Sequence, residues 1–538
     1  MDKITIIKKY FPNIKKLHIP QEKSIDALTD GKRVLTLMPT GEGKSLIYQV
    51  AGLMLKKTTI VISPLIALMK QHHSELEERG FSSVFMSGLT YQQQFKVLTQ
   101  IAKGSMPDFI FLSPERADTD GYLEFVLNLK RDNIGLIVVD EAHCISQWGE
   151  GFRPAYKNIP IFLRRVFGPN NWPRVLCLTA TLNNDDQNQV IDDFEIDEVI
   201  KSPSLWRNNL DLKLYNLGTN KDKTKEVELR AIIKKHEGDK ILVFVHRKYG
   251  NKGTTRTLYE SFSKEFEQCA FYDADISDKE KDRVLEGFMS GEIKIVFATS
   301  AFGMGVNISD IRVVVHYLIP ESIEQYYQEV GRAGRDGKTA YGYLLLSNQS
   351  KSGRKRLIQA SVSSESSIKN EYDEKSSGKK ADFGSVKNED FTDEKRIAFA
   401  LLVEYGVIQV KAKGVQSYKC FKASGNAGKA FLEDIKKYSK TGLTKVICKK
   451  KGISINDLVA NTWSLCAQGE LKLVSSPAKA LFYAIDDELS DDILNQIVND
   501  QEEKREKRLN EFVDFVEAIE RGEKAEAIVK KGLNLEVK

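Results

Sequence analysis

The chain is predicted to be an α/β protein with two tandem parallel sheets and a mainly helical region behind them. Three observations predict this. Short β-rich apolar runs alternate with longer amphipathic stretches over residues 31–200, the pattern of strand–helix–strand units in a sheet covered on both faces. The alternation restarts over residues 242–346, with no repeat at a fixed period. A glycine-containing phosphate-loop pattern opens the first half, and a Gly-Arg pattern closes the second. The 538 residues are 41% hydrophobic and 29% charged, an ordinary globular mixture that excludes collagen, a wholly disordered chain and a disulfide mini-protein.

In the first half the predicted strands are Val34–Met38, Thr59–Ser63, Phe109–Ser113, Leu136–Asp140 and Val175–Thr179. In the second they are Leu242–His246, Ala270–Asp273, Lys294–Ala298, Arg312–Tyr317 and Tyr341–Leu346. Residues 349–390 turn polar and Ser-rich, which reads as a linker. Apolar periodicity returns near 391, with Ile397, Leu401, Leu458, Trp463 and Leu465. The resulting division is 1–205, 206–348, a linker 349–390, and an accessory domain 391–538, helical or winged-helix, whose tail from about 487 forms one or two helices.

No apolar run reaches the ~18–20 residues of a membrane helix, and the first residues lack a signal-peptide pattern. Cys144, Cys177, Cys269, Cys420, Cys448 and Cys466 contain no CxxC pair. A cytoplasmic protein with reduced thiols, no membrane partner and no structural zinc is expected. Net charge is only +5. However, residues 411–451 hold 12 Lys against Glu433 and Asp434. That density suits either a phosphate-binding face or a solvated surface.

Met38-Pro-Thr-Gly-Glu-Gly-Lys-Ser45 lies between an apolar strand and a helical stretch. The amides of such a loop cradle nucleotide phosphates. Thr40, Gly41, Gly43, Lys44 and Ser45 are therefore candidate ATP ligands, with Lys44 on the β/γ-phosphates and Ser45 on Mg²⁺. Ile137-Val-Val-Asp140-Glu141-Ala-His143 is an apolar strand that ends in two carboxylates. Asp140 suits Mg²⁺ and Glu141 suits the attacking water.

Asp140-Glu-Ala-His143 resembles the DEAH box of superfamily 2 helicases. The following stretch, Cys144-Ile-Ser-Gln-Trp148-Gly-Glu-Gly-Phe152-Arg153-Pro-Ala-Tyr156, is similar to the aromatic loop of RecQ-family DNA helicases. Ser63-Pro-Leu-Ile-Ala-Leu-Met-Lys-Gln71, Ser113-Pro-Glu-Arg116, Leu178-Thr-Ala-Thr181, Phe297-Ala-Thr299 through Gly305-Val-Asn307, and Gln325-Tyr-Tyr-Gln328-Glu-Val-Gly-Arg332-Ala-Gly-Arg335 match family motifs in order. Departures are Glu150-Gly151 where His-Asp is usual, Leu17-His18 where Phe-Arg is common, and Tyr272-Asp273-Ala274-Asp275 for Tyr-His-Ala-Gly.

The resemblance spans about residues 10–348 and implies two RecA-like domains. It implies Gln21 as the adenine reader, Arg332 and Arg335 as arginine fingers, and Gln328 and Gly305 at the nucleotide cleft. Ser63, Arg116, Arg247 and Thr299 would contact DNA. Trp148, Phe152 and Tyr156 would stack on bases, with Arg153 on phosphate or coupled to the nucleotide state. The implied activity is ATP-dependent, 3′-to-5′ unwinding of tailed DNA, as used in repair, recombination and defence. Two other readings stay open: an RNA helicase, and a DNA-stimulated switch or translocase that recruits a partner such as a nuclease.

Overall fold

The computed structural model describes residues 2–145, 154–169, 171–203, 205–218, 222–245, 253–300, 302, 308–359, 363–376, 383–387 and 393–533. The first domain holds strands β1 (Val34–Leu37), β2 (Thr58–Ile62), β3 (Ser83–Phe85), β4 (Phe109–Leu112), β5 (Ile134–Val139), β6 (Arg174–Thr179) and β7 (Glu198–Lys201). They form one parallel sheet in the order β3-β4-β2-β5-β6-β1-β7. Helices cover both faces, so β1, β2, β4 and β5 are buried at every position and read as continuous apolar runs. Leu35, Leu37, Ile60 and Ile62 point into one core, and Val34, Val61, Leu136 and Val138 into the other.

The second domain repeats the architecture with β8 (Leu210–Asn216), β9 (Lys240–Phe244), β10 (Cys269–Tyr272), β11 (Ile295–Ala298), β12 (Ile311–His316) and β13 (Ala340–Leu346), in the order β10-β11-β9-β12-β13-β8. Asp273, expected at a nucleic-acid-facing strand end, is buried. It accepts from the Thr255 hydroxyl and the Asp275 amide, both at 3.0 Å. Its charge therefore closes a turn and does not face an open groove.

Residues 349–390 are more than a linker. They contain helix Asn348–Gln359, helix Glu365–Ser376 and strand β14 (Gly384–Lys387). Composition concealed this because the polarity is internal: Glu371 and Lys375, one helical turn apart, form a buried ion pair at 2.9 Å, and Ile368 and Val386 supply apolar anchors.

The accessory region adds β15 (Ile408–Val415), β16 (Phe421–Ala423), three helices (Asn426–Tyr438, Thr444–Lys451 and Ile455–Gln468), then β17 (Leu471–Leu473) and β18 (Lys479–Ile485). β14-β18-β15 form an antiparallel sheet, and β16 pairs with β17. β16 and β17 flank the three helices and pair with each other, while β18 is the central strand of the other sheet; among the described residues β17 and β18 do not pair to form a wing. The unit is seated on the first domain. A Cβ on Gly121 would lie 1.9 Å from the Lys413 carbonyl oxygen, so only glycine permits this approach. The Tyr122 and Trp463 rings are 5.3 Å apart, and Trp463 Nε1 donates to Lys413 O at 3.2 Å. The tail forms two helices, Asp491–Glu520 and Ala525–Gly532. Among the described residues no helix is long and apolar enough to cross a membrane, and no group of three His, Cys, Asp or Glu residues is arranged to hold a metal.

Candidate functional site

In open α/β sheets ligands sit beyond the carboxyl ends of the strands, where the strand order reverses. Here β5, β6 and β1 are neighbours. Their carboxyl ends bring together Asp140-Glu141, Thr179-Ala-Thr181 and the loop 38–45. Gly41 and Gly43 take φ of +88° and +74°, a region that a Cβ disfavours. Gly43 caps helix Lys44–Leu55, so the positive end of the helix dipole opens onto the loop. Lys44 Nζ rests on the Met38 carbonyl at 3.1 Å. Burial pushes its pKa down, against the pull of Glu141 and Asp140.

Gln21 is buried. It donates to the carbonyls of Glu42 and Gly43, both at 3.0 Å, and accepts from the His18 amide at 2.8 Å. It thus braces the phosphate loop directly. Asp140 accepts from the Ser63 hydroxyl at 3.1 Å. Burial and the adjacent Glu141 charge push its carboxyl pKa up. For Glu141 burial acts upward as well, but His143, Lys44 and Arg332 together outweigh it and hold the carboxyl low. Glu141 itself sits at φ +52°, a left-handed conformation that costs a non-glycine residue about 1–3 kcal/mol and concentrates at functional sites.

From Glu141 a polar chain leads toward the second domain. His143 Nδ1 lies 3.2 Å from Glu141 Oε2 and 3.1 Å from Thr179 Oγ1, and Thr179 donates to the Thr181 carbonyl at 3.1 Å. Gln328, across the cleft, donates from Nε2 to Thr181 Oγ1 at 3.1 Å. The arginine loop is equally close: Thr40 donates to Gly331 O at 3.1 Å, and a Cβ on Gly41 would lie 3.4 Å from Arg335 Cγ. Burial, with Arg332 and Arg207 nearby, depresses the Arg335 pKa to about 10. Arg332 is also shifted down by burial, with Glu141 in opposition. The like charges of Arg332 and Arg207 act on Arg335 beside the phosphate loop, and an anion placed there relieves that repulsion.

Arg207 and Asn209 were missed in the sequence. Arg207 donates to Gly331 O at 2.8 Å and also to Gly334 O. Asn209 donates to Gly334 O at 2.8 Å and to Lys338 O at 2.9 Å. Together they fix the backbone that carries Arg332 and Arg335. The available signal was a lone Arg and two Asn ahead of β8, which composition cannot separate from an interdomain turn.

The predicted nucleic-acid residues divide. Thr299 lies half-buried at the end of β11, where its amide donates to Tyr272 O at 3.1 Å. Ser63 is buried on Asp140. Arg116 pairs with Asp120, which also holds Lys479 of β18 at 3.1 Å; Arg116 is therefore tied into the junction with the accessory sheet. Tyr156, expected to stack on bases, is fully buried and donates to Asp140 O at 2.8 Å. Its ring fills the core beneath the carboxylate turn. Tyr156→Phe should lower stability by about 0.5–1.5 kcal/mol, the value of one buried hydrogen bond, read as a shift in the denaturation midpoint. Trp148, Phe152, Arg153, Arg247 and Gly305 lie outside the described residues.

Two family models match: DEAD/DEAH box helicase over residues 19–190 and helicase conserved C-terminal domain over residues 222–337. The chain is 34% identical over 360 residues to the ATP-dependent DNA helicase RecQ of Bacillus subtilis (strain 168), covering 66% of this chain and 58% of that one. It is 34% identical over 332 residues to the ATP-dependent helicase SGS1 of Saccharomyces cerevisiae, covering 60% of this chain and 22% of that one. The chain thus spans less than two thirds of the length of these relatives. Among solved structures, the DUF1998 helicase MrfA bound to DNA and AMPPNP is similar at a TM-score of 0.53, 18% identity and coverage of 67% of this chain and 53% of that one. The DEAD-box helicase Mss116 bound to ssRNA and UDP-BeF is similar at 0.53, 16% identity, and 68% and 82% coverage. These two likenesses establish a shared fold. Residues 19–190 and 222–337 are thus a DEAD/DEAH box helicase domain and a helicase conserved C-terminal domain, and the sequence similarity of the chain is to RecQ helicases.

Proposed function

We propose that the chain is an ATP-dependent DNA helicase of RecQ type. It hydrolyses ATP, moves 3′-to-5′ along single-stranded DNA and opens tailed duplexes in the cytoplasm, on the nucleoid if the host is bacterial. The observation that carries this reading is the cleft itself: Gly331 and Arg335 of one domain lie against Thr40 and Gly41 of the phosphate loop, and Gln328 against Thr181 of the other. The relatives' names, RecQ and SGS1 among them, are those of ATP-dependent helicases.

ATP phosphates would lie against the amides of 40–45 and Lys44, with Arg332 and Arg335 closing over the γ-phosphate. Gln21 would read adenine while bracing the loop. Ser45 and Asp140 supply a hydroxyl and a buried carboxylate, a hard-oxygen donor set that suits Mg²⁺; bound with ATP, the ion would neutralise phosphate charge. Glu141, its carboxyl pKa held low by His143, Lys44 and Arg332, would orient the attacking water. Loss of the γ-phosphate removes the anion shared by the two domains. The cleft then opens, and the change reaches the DNA side through Thr179, Thr181 and Gln328. Thr299, Arg247, Trp148, Phe152 and Arg153 are the proposed strand contacts. Ser63 and Arg116 act one layer beneath, on Asp140 and on Asp120 at the accessory junction. Strand cleavage would require a separate nuclease.

Helix Ile455–Gln468 packs on the motor and carries no Lys or Arg. Exposed lysines lie instead on and beside helices 426–438 and 444–451, Lys436, Lys440, Lys449 and Lys450 among them, and others, such as Lys411 and Lys472, on the strands. We assign the first four to DNA phosphates. Changing all four to Gln should flatten the salt dependence of single-strand binding by about 0.7 log unit per lost contact. An unchanged slope returns them to a solvated surface.

The function is tested by ATP turnover with matched single-stranded DNA and RNA. DNA should stimulate by about tenfold or more over RNA, because recognition of RNA depends on the 2′-hydroxyl. Equal stimulation favours the RNA reading.

A further inference from the structure

Helix Asp491–Glu520 is about 45 Å long at 1.5 Å per residue, and its two ends pack in different bodies. Leu494 and Ile497 lie in the accessory core with Leu402, Val407 and Tyr483. That unit is seated on the first motor domain, where Lys413 pairs with Glu124 at 2.8 Å and Lys479 with Asp120 at 3.1 Å. Phe512, Phe515, Val516 and Ile519 lie in the core of the second domain. The Phe515 ring is 5.9 Å from Tyr326, on the helix Ile323–Val330 that bears Gln328 and leads into Arg332 and Arg335. The final helix, Ala525–Gly532, returns along the same element: a Cβ on Gly532 would meet Ile323 Cδ1 at 2.3 Å.

Between the packed ends, residues 502–504 and 506 are exposed. Next to this span, two adjacent residues face opposite domains. Lys507 pairs with Asp185 of the first domain, and Arg508 Nη2 donates to Glu321 Oε2 of the second at 3.0 Å. Asp185 lies just past Thr181, and Glu321 just ahead of the helix bearing Gln328, so the two ion pairs straddle the Thr181–Gln328 contact. Asp186, Glu324 and Glu511 crowd this junction. Burial, with Glu511 and Asp186 nearby, pushes the Glu324 carboxyl up; burial also pushes the Glu511 carboxyl up, and there Lys507 and Arg508 supply the opposing charge.

We propose that helix 491–520 is a strut that positions the arginine loop over the phosphate loop and makes turnover answer to the accessory unit. Arg508 and Lys507 are its positioning residues. The strut rests on the ATPase reading above. An unbroken helix transmits displacement because its backbone hydrogen bonds resist bending, so motion of the accessory unit on the first domain is delivered to helix Ile323–Val330. In the full chain, Glu503→Pro interrupts the helix in its exposed span and leaves both packed ends in place.

With single-stranded DNA present, Glu503→Pro should lower kcat about tenfold with KM for ATP within about twofold, because a small misplacement of catalytic groups acts on the transition state. Arg508→Glu should lower kcat in the same way. Adding Glu321→Arg to that variant should restore most of it, which repair of a general folding defect would not do. Wild-type kcat in Glu503→Pro or in Arg508→Glu, or an exchange that restores nothing in a chain that still melts cooperatively, overturns the strut. Absence of DNA-stimulated turnover in the unaltered chain, measured alongside, overturns the ATPase reading and the strut with it.

Discussion

Lys44→Ala is expected to reduce ATP turnover by about two to three orders of magnitude, the loss seen when one preorganised donor to developing charge is removed, while single-stranded DNA binding stays near the wild-type level. Lys44 sits at the centre of the site electrostatically: burial lowers its pKa, and Glu141 and Asp140 oppose that shift. Its ammonium now rests on Met38 O, a weak partner that a phosphate oxygen can replace. Removing it leaves the fold of the loop to Gly41, Gly43 and the Gln21 brace, so the defect should be confined to nucleotide chemistry. ATP hydrolysis followed by phosphate release checks this. Normal turnover in Lys44→Ala would mean that the phosphate site lies elsewhere.

Arg332→Ala and Arg335→Ala should each lower kcat by about 10³–10⁵, the range for arginine fingers, with smaller effects on nucleotide affinity. The depressed pKa of Arg335, about 10, reflects burial among like charges, a situation that favours the state with a γ-phosphate present. Arg→Lys should not rescue either position, because a single ammonium cannot form the bidentate contact of the guanidinium fork. Single-turnover kinetics with saturating ATP separate this loss from weaker binding. A drop confined to KM would reassign the arginines to ground-state binding.

Much of the motor was legible in the sequence because its strands are buried on both faces. Val34–Leu37 and Ile134–Val139 are continuous apolar runs, and their polar ends mark the site. Strands at the sheet margins were not legible. Ser83–Phe85 has three residues, and Glu198–Lys201 and Leu210–Asn216 carry charges where an edge meets water. Roles that depend on what a side chain meets across space escaped as well. Tyr156 belongs to an aromatic run that reads as a stacking surface, yet its hydroxyl is fixed to Asp140 O. Arg116 reads as a phosphate contact, yet Asp120 engages it and also holds Lys479 of β18. The paired polarity of residues 365–376 looked like a linker until Glu371 and Lys375 were seen to neutralise each other inside a core.

The accessory region shows the same limit in its energetics. Its lysine-rich stretch was visible as charge, but the seating of Trp463, Lys413 and Gly121 on the first domain is a tertiary fact. That seating packs the helix Ile455–Gln468 against the first domain, leaves exposed lysines on the two helices before it, and places a long helix between the unit and the arginine loop.

The central claim is most directly tested by unwinding of matched DNA duplexes that carry a 3′ tail, a 5′ tail or no tail, with ATP and Mg²⁺. The account predicts strand separation of the 3′-tailed duplex and none of the other two. DNA-stimulated ATP hydrolysis with no strand separation on any of the three would contradict it, and would make the chain a translocase or switch that needs a partner.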